Sequence, residues 1–71
     1  MPVTAAQAKK ILDGNYTFSQ LGFSMMITHM KGTYAKNPSK AMLLKCTDDI
    51  NSFLSKYQAI MGNDIDFISK L

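Results

Sequence analysis

The chain has 71 residues, enough for one small domain, because a second core would need roughly 50 more residues. Hydrophobic residues make up 46% of the chain and charged residues 18%, with only 4 Gly and 2 Pro, which excludes a disordered or collagen-like chain. The charged residues are 8 Lys and 5 Asp, with no Arg and no Glu, and they give a net charge of +3.

The first predicted helix is short and rich in Ala. Thr4 precedes it and is the predicted N-cap, because a threonine hydroxyl can accept a hydrogen bond from a free backbone N–H of the first turn. Ile11 and Leu12 supply its large apolar side chains. Gly14 follows Asp13 and is expected to close the helix in the left-handed conformation.

The second predicted helix begins near Phe18. Thr17 and Gln20 have the spacing of a capping box, in which a hydroxyl and an amide side chain satisfy free backbone N–H groups. An Asn-Pro pair at 37–38 limits the helix, because the residue before proline avoids helical geometry. The helix is therefore expected to end within 34–36.

The third predicted helix follows a short turn. Asn37 is its predicted N-cap, Pro38 occupies its first position, and the helix is expected to extend to about Met61. The next glycine ends it, and Asn63 or Asp64 caps a short last helix. The apolar side chains of the third helix repeat at three- and four-residue intervals and form one stripe: Met42, Leu43, Cys46, Ile50, Phe53, Leu54, Tyr57, Ile60 and Met61.

The second helix is apolar around more than half of its circumference. One arc holds Phe18, Leu21, Met25 and His29, and the adjacent arc holds Phe23, Met26, Ile27, Met30 and Tyr34. The third helix, folded back as an antiparallel hairpin, covers one side. The other side needs the terminal helices or a second chain.

These patterns predict an all-α fold with a single helical domain over residues 1–71. Two long helices form an antiparallel hairpin, flanked by short N- and C-terminal helices. Since chains this short gain little stability from one core, we expect a helical bundle formed as a symmetric dimer. A monomeric four-helix domain is the alternative.

The adjacent arc of the second helix supplies the predicted dimer interface, which consists of Phe23, Met26, Ile27, Met30 and Tyr34. The expected function is therefore that of a non-enzymatic helical interaction module that self-associates. An unidentified protein is a further candidate partner.

A second functional interpretation uses the lysines around the predicted turn. Lys31, Lys36 and Lys40 form a basic patch that can contact phosphates by charge alone, in a way that weakens as salt rises. Sequence-specific DNA recognition is disfavoured, because bidentate reading of guanine favours Arg. The alternative function is therefore non-sequence-specific nucleic-acid association, although a solvated lysine-rich turn explains the same residues.

Residues suited to catalysis or cofactor binding are scarce. The chain has one His and one Cys, and Cys46 falls within the apolar stripe, where burial makes a thiol inert. Met26, His29 and Met30 have a spacing that could hold a soft ion such as Cu(I), but methionines at helical spacing usually fill cores. We therefore predict no catalytic residues, no cofactor and no metal.

The expected location is the cytoplasm, because a lone Cys46 fits a reducing compartment. The N-terminal residues lack a basic segment followed by an apolar run, so secretion by that route is not expected. The uncharged stretch between Asp13 and Lys31 is too polar for a membrane span, and no membrane association is predicted.

Overall fold

The computed structural model describes residues 2–34 and 38–71, and within them every regular element is a helix, which confirms the predicted all-α class. The helices are α1 (Ala5–Asp13), α2 (Leu21–Tyr34), α3 (Lys40–Lys56), α4 (Gln58–Met61) and α5 (Asn63–Ser69). Helix α1 packs against both α2 and α3, and α2 also contacts α3. The predicted N-cap Asn37 lies outside the described residues.

Helix α1 begins as predicted and ends differently. The Thr4 hydroxyl accepts a hydrogen bond from the Gln7 backbone N–H at 3.1 Å, and the Gln7 side chain accepts one from the Thr4 N–H at 2.9 Å. The left-handed conformation predicted for Gly14 is wrong, because Gly14 is extended, with φ −90° and ψ 178°. The Tyr16 ring lies where a Gly14 side chain would be, so close ring packing explains this glycine.

The segment before α1 is anchored to α3 by one amide side chain. Asn51 Oδ1 accepts a hydrogen bond from the Val3 N–H at 2.7 Å, and Asn51 Nδ2 donates to the Val3 carbonyl oxygen at 3.1 Å. This pair of bonds satisfies both backbone groups of a residue whose side chain is buried. Val3 is therefore already packed in the core, although it precedes the first helix.

The start of α2 corrects the sequence-based prediction. The helix begins at Leu21 rather than near Phe18, and the predicted capping box at Thr17 does not form the helix start. The Asp64 carboxylate, from α5, accepts hydrogen bonds from the Ser19 and Gln20 backbone N–H groups, both at 2.8 Å. Ser19 and Gln20 precede the helix, so this buried carboxylate holds the segment that leads into α2 through charge-assisted bonds. Within the first turn, the Phe23 N–H donates to the Gln20 side-chain oxygen at 2.6 Å.

The third predicted helix is interrupted before its expected end. Ser39 is the N-cap and accepts from the Met42 N–H at 3.2 Å, so Pro38 precedes the cap instead of occupying the first helical position. Helix α3 stops at Lys56, and α4 continues to Met61 after a turn at Tyr57. This turn buries Met61 and leaves Ile60 60% exposed, although the predicted stripe contained both.

The last helix begins after a glycine that ends α4, as predicted. Gly62 has φ +50°, a conformation that favours glycine. Neither Asn63 nor Asp64 caps α5, because the N-cap residue is Gly62 and no side-chain cap bond forms there. The predicted cap Asp64 instead binds the backbone of the segment that precedes α2.

A continuous series of aromatic rings, which we call the aromatic series, joins α2, α3 and α5. The fully buried Phe23 lies edge-on to Phe18, with ring centroids 4.8 Å apart, and its centroid is 5.5 Å from that of Phe53. Phe18 continues to Phe67 at 6.1 Å, and Phe53 continues to Tyr57 at 4.6 Å. Around these rings the buried apolar core consists of Val3, Ala8, Ile11, Phe18, Phe23, Ile27, Met30, Cys46, Ile50, Met61 and Ile68.

We predict that Asp64→Asn lowers the free energy of unfolding by about 2 kcal/mol. The amide keeps one acceptor oxygen but presents an NH₂ group to the other backbone N–H, so one hydrogen bond is lost at a buried position. Urea unfolding followed by circular dichroism measures the change.

The matched control for this variant is Asp66→Asn, which removes the same charge from an exposed residue of the same helix. We expect this control to change stability by less than about 0.5 kcal/mol. Equal effects of the two variants would contradict a stabilising role for the Asp64 hydrogen bonds, since only the change in net charge is common to both.

Candidate interaction surface on the second helix

Helix α2 carries large apolar side chains on two opposite faces. Its inner face holds Phe23, Ile27 and Met30, all of which are buried in the core. Its opposite face holds Leu21 and Met25, which are 71% and 64% exposed. An amphipathic helix at a protein surface normally turns a polar face outward, so these two side chains are unpartnered within the described chain.

The exposed residues form what we call the outer stripe: Leu21, Met25, Thr28 and Gly32. All of them are exposed. They follow each other at intervals of four, three and four residues, which at about 100° per residue places them within an arc of about 60°. The large side chains lie in the N-terminal half of the stripe, and the small ones lie in the C-terminal half.

Gly32 of the outer stripe has no structural explanation within the described chain. Apart from its chain neighbours and the backbone of its own helix, no atom of the described residues lies within 4 Å of the position that a Cβ would occupy. Among the described glycines only Gly62 has a positive φ, so ordinary helical geometry at Gly32 accepts any residue except proline. A glycine inside a helix costs about 1 kcal/mol relative to alanine, and no contact among residues 2–34 and 38–71 compensates for that loss.

The residues predicted as the dimer interface mostly face the core. Phe23, Ile27 and Met30 are at most 4% exposed. Met26 and Tyr34 are partly buried and pack against the core cluster. In the single chain these five side chains therefore contribute to the domain's own packing, and their role in a dimer stays a prediction.

A groove of about 490 Å³ lies between α2 and α3. Its α3 side carries an exposed ion pair, Lys45 with Asp49, at 3.0 Å. The hydrogen bond and charge of the Asp49 carboxylate raise the pKa of Lys45 above 10.5. The Lys56 ammonium lies 5.3 Å from the centre of the Tyr57 ring, within the range of a cation–π contact. The lining residues are Met26, His29, Met30, Tyr34, Lys45, Asp49, Ser52, Phe53, Lys56 and Tyr57.

The groove contains the three side chains whose spacing in the sequence could hold a soft metal ion. Met26, His29 and Met30 all line it. Met30 is buried among core side chains, which is the packing role that its helical spacing favours. The exposed His29 ring lies 3.5 Å from the Thr33 hydroxyl. Across residues 2–34 and 38–71, no group of three or more His, Cys and Asp side chains is arranged to hold a metal ion.

The three lysines predicted to contact phosphates do not share one environment in the structure. Lys31 is partly buried and donates a hydrogen bond to the Gly14 carbonyl oxygen, between α1 and α2. Lys40 is exposed at the first position of α3, and Lys36 lies outside the described residues. Lys31 therefore has a structural partner, and phosphate contact by this set stays a prediction.

Cys46 lies in the core and makes no disulfide. Burial raises the pKa of its thiol above the ordinary value of 9.0, so the reactive thiolate is disfavoured. The side chain acts as a small apolar group on the inner face of α3.

The outer stripe was not identified from the sequence as an interface. The sequence places Leu21 and Met25 in the arc next to the predicted interface, but helical periodicity does not show which of two apolar arcs faces the core. The signal that could have separated them is Gly32, which falls on the same line as Leu21 and Met25, since a core-facing line seldom contains a glycine without a packing reason.

Comparison with known proteins finds no matching protein family, no matching curated protein and no matching solved structure. Within the described ranges, no helix combines the length and apolar character needed to cross a membrane.

We predict that Gly32→Ala raises the free energy of unfolding of the dilute protein by about 0.5 to 1 kcal/mol, because a methyl group enters open space and alanine favours the helix. Gly62→Ala is the opposing control, since φ +50° strains any side chain there, and it should destabilise the fold. Thermal melts of both variants measure these changes. A loss of stability in Gly32→Ala would show that the space at Gly32 is filled.

We also predict that Cys46 resists modification in the folded protein. Ellman's reagent at pH 8 should react with it more than about a hundredfold more slowly than with the urea-unfolded chain, because the thiol is buried and stays protonated. Equal rates would contradict its position in the core. As the pH rises above 9.0, the unfolded thiol ionises before the folded one, so the stability contributed by Cys46 should decline relative to Cys46→Ala.

Proposed function

We propose that the protein is a non-enzymatic helical interaction module that acts in the cytoplasm by self-association. The observation that supports this function most directly is the outer face of α2. Leu21 and Met25 are 71% and 64% exposed one turn apart, on a helix whose inner face is already occupied by the core. Contact with another macromolecule would remove this apolar surface from water.

The scarcity of reactive groups supports a non-enzymatic role. The chain has one His and one Cys, and the Cys46 thiol is buried with a raised pKa. A nucleophile needs an accessible side chain with a base beside it. A reduced, buried thiol and the lack of a second cysteine for an intrachain disulfide also fit a reducing compartment.

Sedimentation velocity tests self-association. Between about 5 µM and about 500 µM the sedimentation coefficient should rise reversibly, since association through one small apolar face is governed by mass action. A coefficient that stays at the monomer value across this range would overturn the proposal.

Salt separates this function from nucleic-acid binding. Association through uncharged side chains should be unchanged or strengthened between about 50 mM and about 500 mM salt, because apolar contacts are not screened. Binding of a nucleic acid through lysines should weaken steeply over the same range. Self-association that is lost at high salt would contradict an apolar interface.

A further inference from the structure

The outer stripe is self-complementary in side-chain size. Leu21 and Met25 are the large side chains at one end, and Thr28 and Gly32 are the small ones at the other. The midpoint of the stripe lies between Met25 and Thr28, and each large residue is as far from it as a small residue on the other side. An antiparallel copy of the same stripe would therefore set large side chains against small ones along its whole length.

We propose that the partner of this face is a second copy of the chain, with the two α2 helices paired antiparallel about a two-fold axis at the middle of the stripe. Leu21 then lies over Gly32 of the partner subunit, and Met25 lies beside Thr28 of the partner subunit. This inference rests on the proposed self-association and adds the face, the direction and the register. It also gives the otherwise unexplained Gly32 a role, because the missing side chain admits Leu21 of the partner subunit.

The charge distribution favours a second copy over a charged partner. No charged residue occurs between Asp13 and Lys31, and Lys31 donates to the Gly14 carbonyl oxygen rather than standing on the stripe. Two copies therefore meet here without the like-charge repulsion expected elsewhere on a chain with a net charge of +3. An acidic or basic partner would find no complementary charge among the four described residues of the outer stripe.

The antiparallel direction follows from the same residues. A parallel pair would place Leu21 against its own copy and Gly32 against its own copy, which sets two large side chains together at one end and leaves a gap at the other. It would also align the two helix dipoles, whereas antiparallel helices oppose them.

The size of the face determines the expected affinity. Helix α2 has 14 residues and is about 21 Å long. Standard interfaces bury about 800 Å² on each partner, which is about one sixth of the 4802 Å² surface of this chain. A single short helix pair supplies less than that, so the dimer should be weak and should form reversibly at micromolar concentrations or above.

Two substitutions test the face against matched controls by sedimentation. Leu21→Asp should raise the dimer dissociation constant at least tenfold, whereas Leu44→Asp, which places the same charge at a 51% exposed leucine of α3, should leave it within about twofold. Gly32→Leu should also abolish dimerisation, while the dilute protein stays as stable as the parent or more so, since the position is open. Dimerisation unaffected by Leu21→Asp and Gly32→Leu would overturn this inference and leave the proposed function standing.

Disulfide formation between chains tests direction and register. In the proposed pair Leu21→Cys and Gly32→Cys face each other across the two chains, while two copies of either variant are offset by about 16 Å along the helix axis. A disulfide needs Cα atoms within about 7 Å, so oxidation of a mixture should give crosslinked dimers and oxidation of either variant alone should not. The parent chain, with Cys46 buried, is the control.

Each outcome of the crosslinking experiment is decisive. Crosslinking of Leu21→Cys with itself would show a parallel pair and overturn the inference. Dimers of the parent by sedimentation without any mixed crosslink would overturn the register while supporting self-association. Absence of dimers of the parent at about 500 µM would overturn the proposed function and this inference together.

Discussion

The rotational setting of α2 is fixed by one buried ring, Phe23, and the rest of the structure depends on that setting. Its ring meets Phe18 edge-on at 4.8 Å and Phe53 at 5.5 Å, and it is fully buried. Because residues of a helix are spaced by about 100°, placing Phe23 inward also turns Ile27 and Met30 inward. The same rotation turns Leu21 and the rest of the outer stripe away from the core, so the exposed apolar surface is a consequence of how the core is packed.

No disulfide holds the terminal segments in place. Two polar side chains do so instead, by hydrogen bonding to backbone groups that are distant in the sequence. Asn51 binds both backbone groups of Val3, which ties the segment before α1 to α3. Asp64 binds the Ser19 and Gln20 N–H groups, which ties α5 to the start of α2. These contacts link residues more than 40 positions apart and hold the segment before α1 on α3, and α5 on the segment before α2. They leave the outer side of α2 uncovered within the described chain.

Local signals in the sequence predict local structure. They do not predict the contacts between residues that are distant in the sequence. The Thr4 cap and the Gly62 stop depend on neighbouring residues alone, and both are present in the structure. The backbone that leads into α2 is held by a carboxylate 44 residues away, and Gln20 accepts a hydrogen bond from the Phe23 N–H, so the nearby Thr17 pattern predicts the wrong start. The turn at Tyr57 has no Pro or Gly beside it and coincides with the burial of Met61, a tertiary effect. For the candidate site, periodicity identified two apolar arcs on α2, but only the packing of Phe23 shows which one faces inward.

The central claim is that the inner face of α2 belongs to the core of one chain and the outer stripe belongs to a contact between chains. The methyl resonances of the chain's 6 methionines report on both faces in one NMR dilution series. Between about 1 mM and about 20 µM, the Met25 methyl should shift continuously, while the buried Met30 and Met61 methyls stay in place. Shifts of Met26 and Met30 with an unchanged Met25 would contradict the account, because they would place the contact in the groove between α2 and α3.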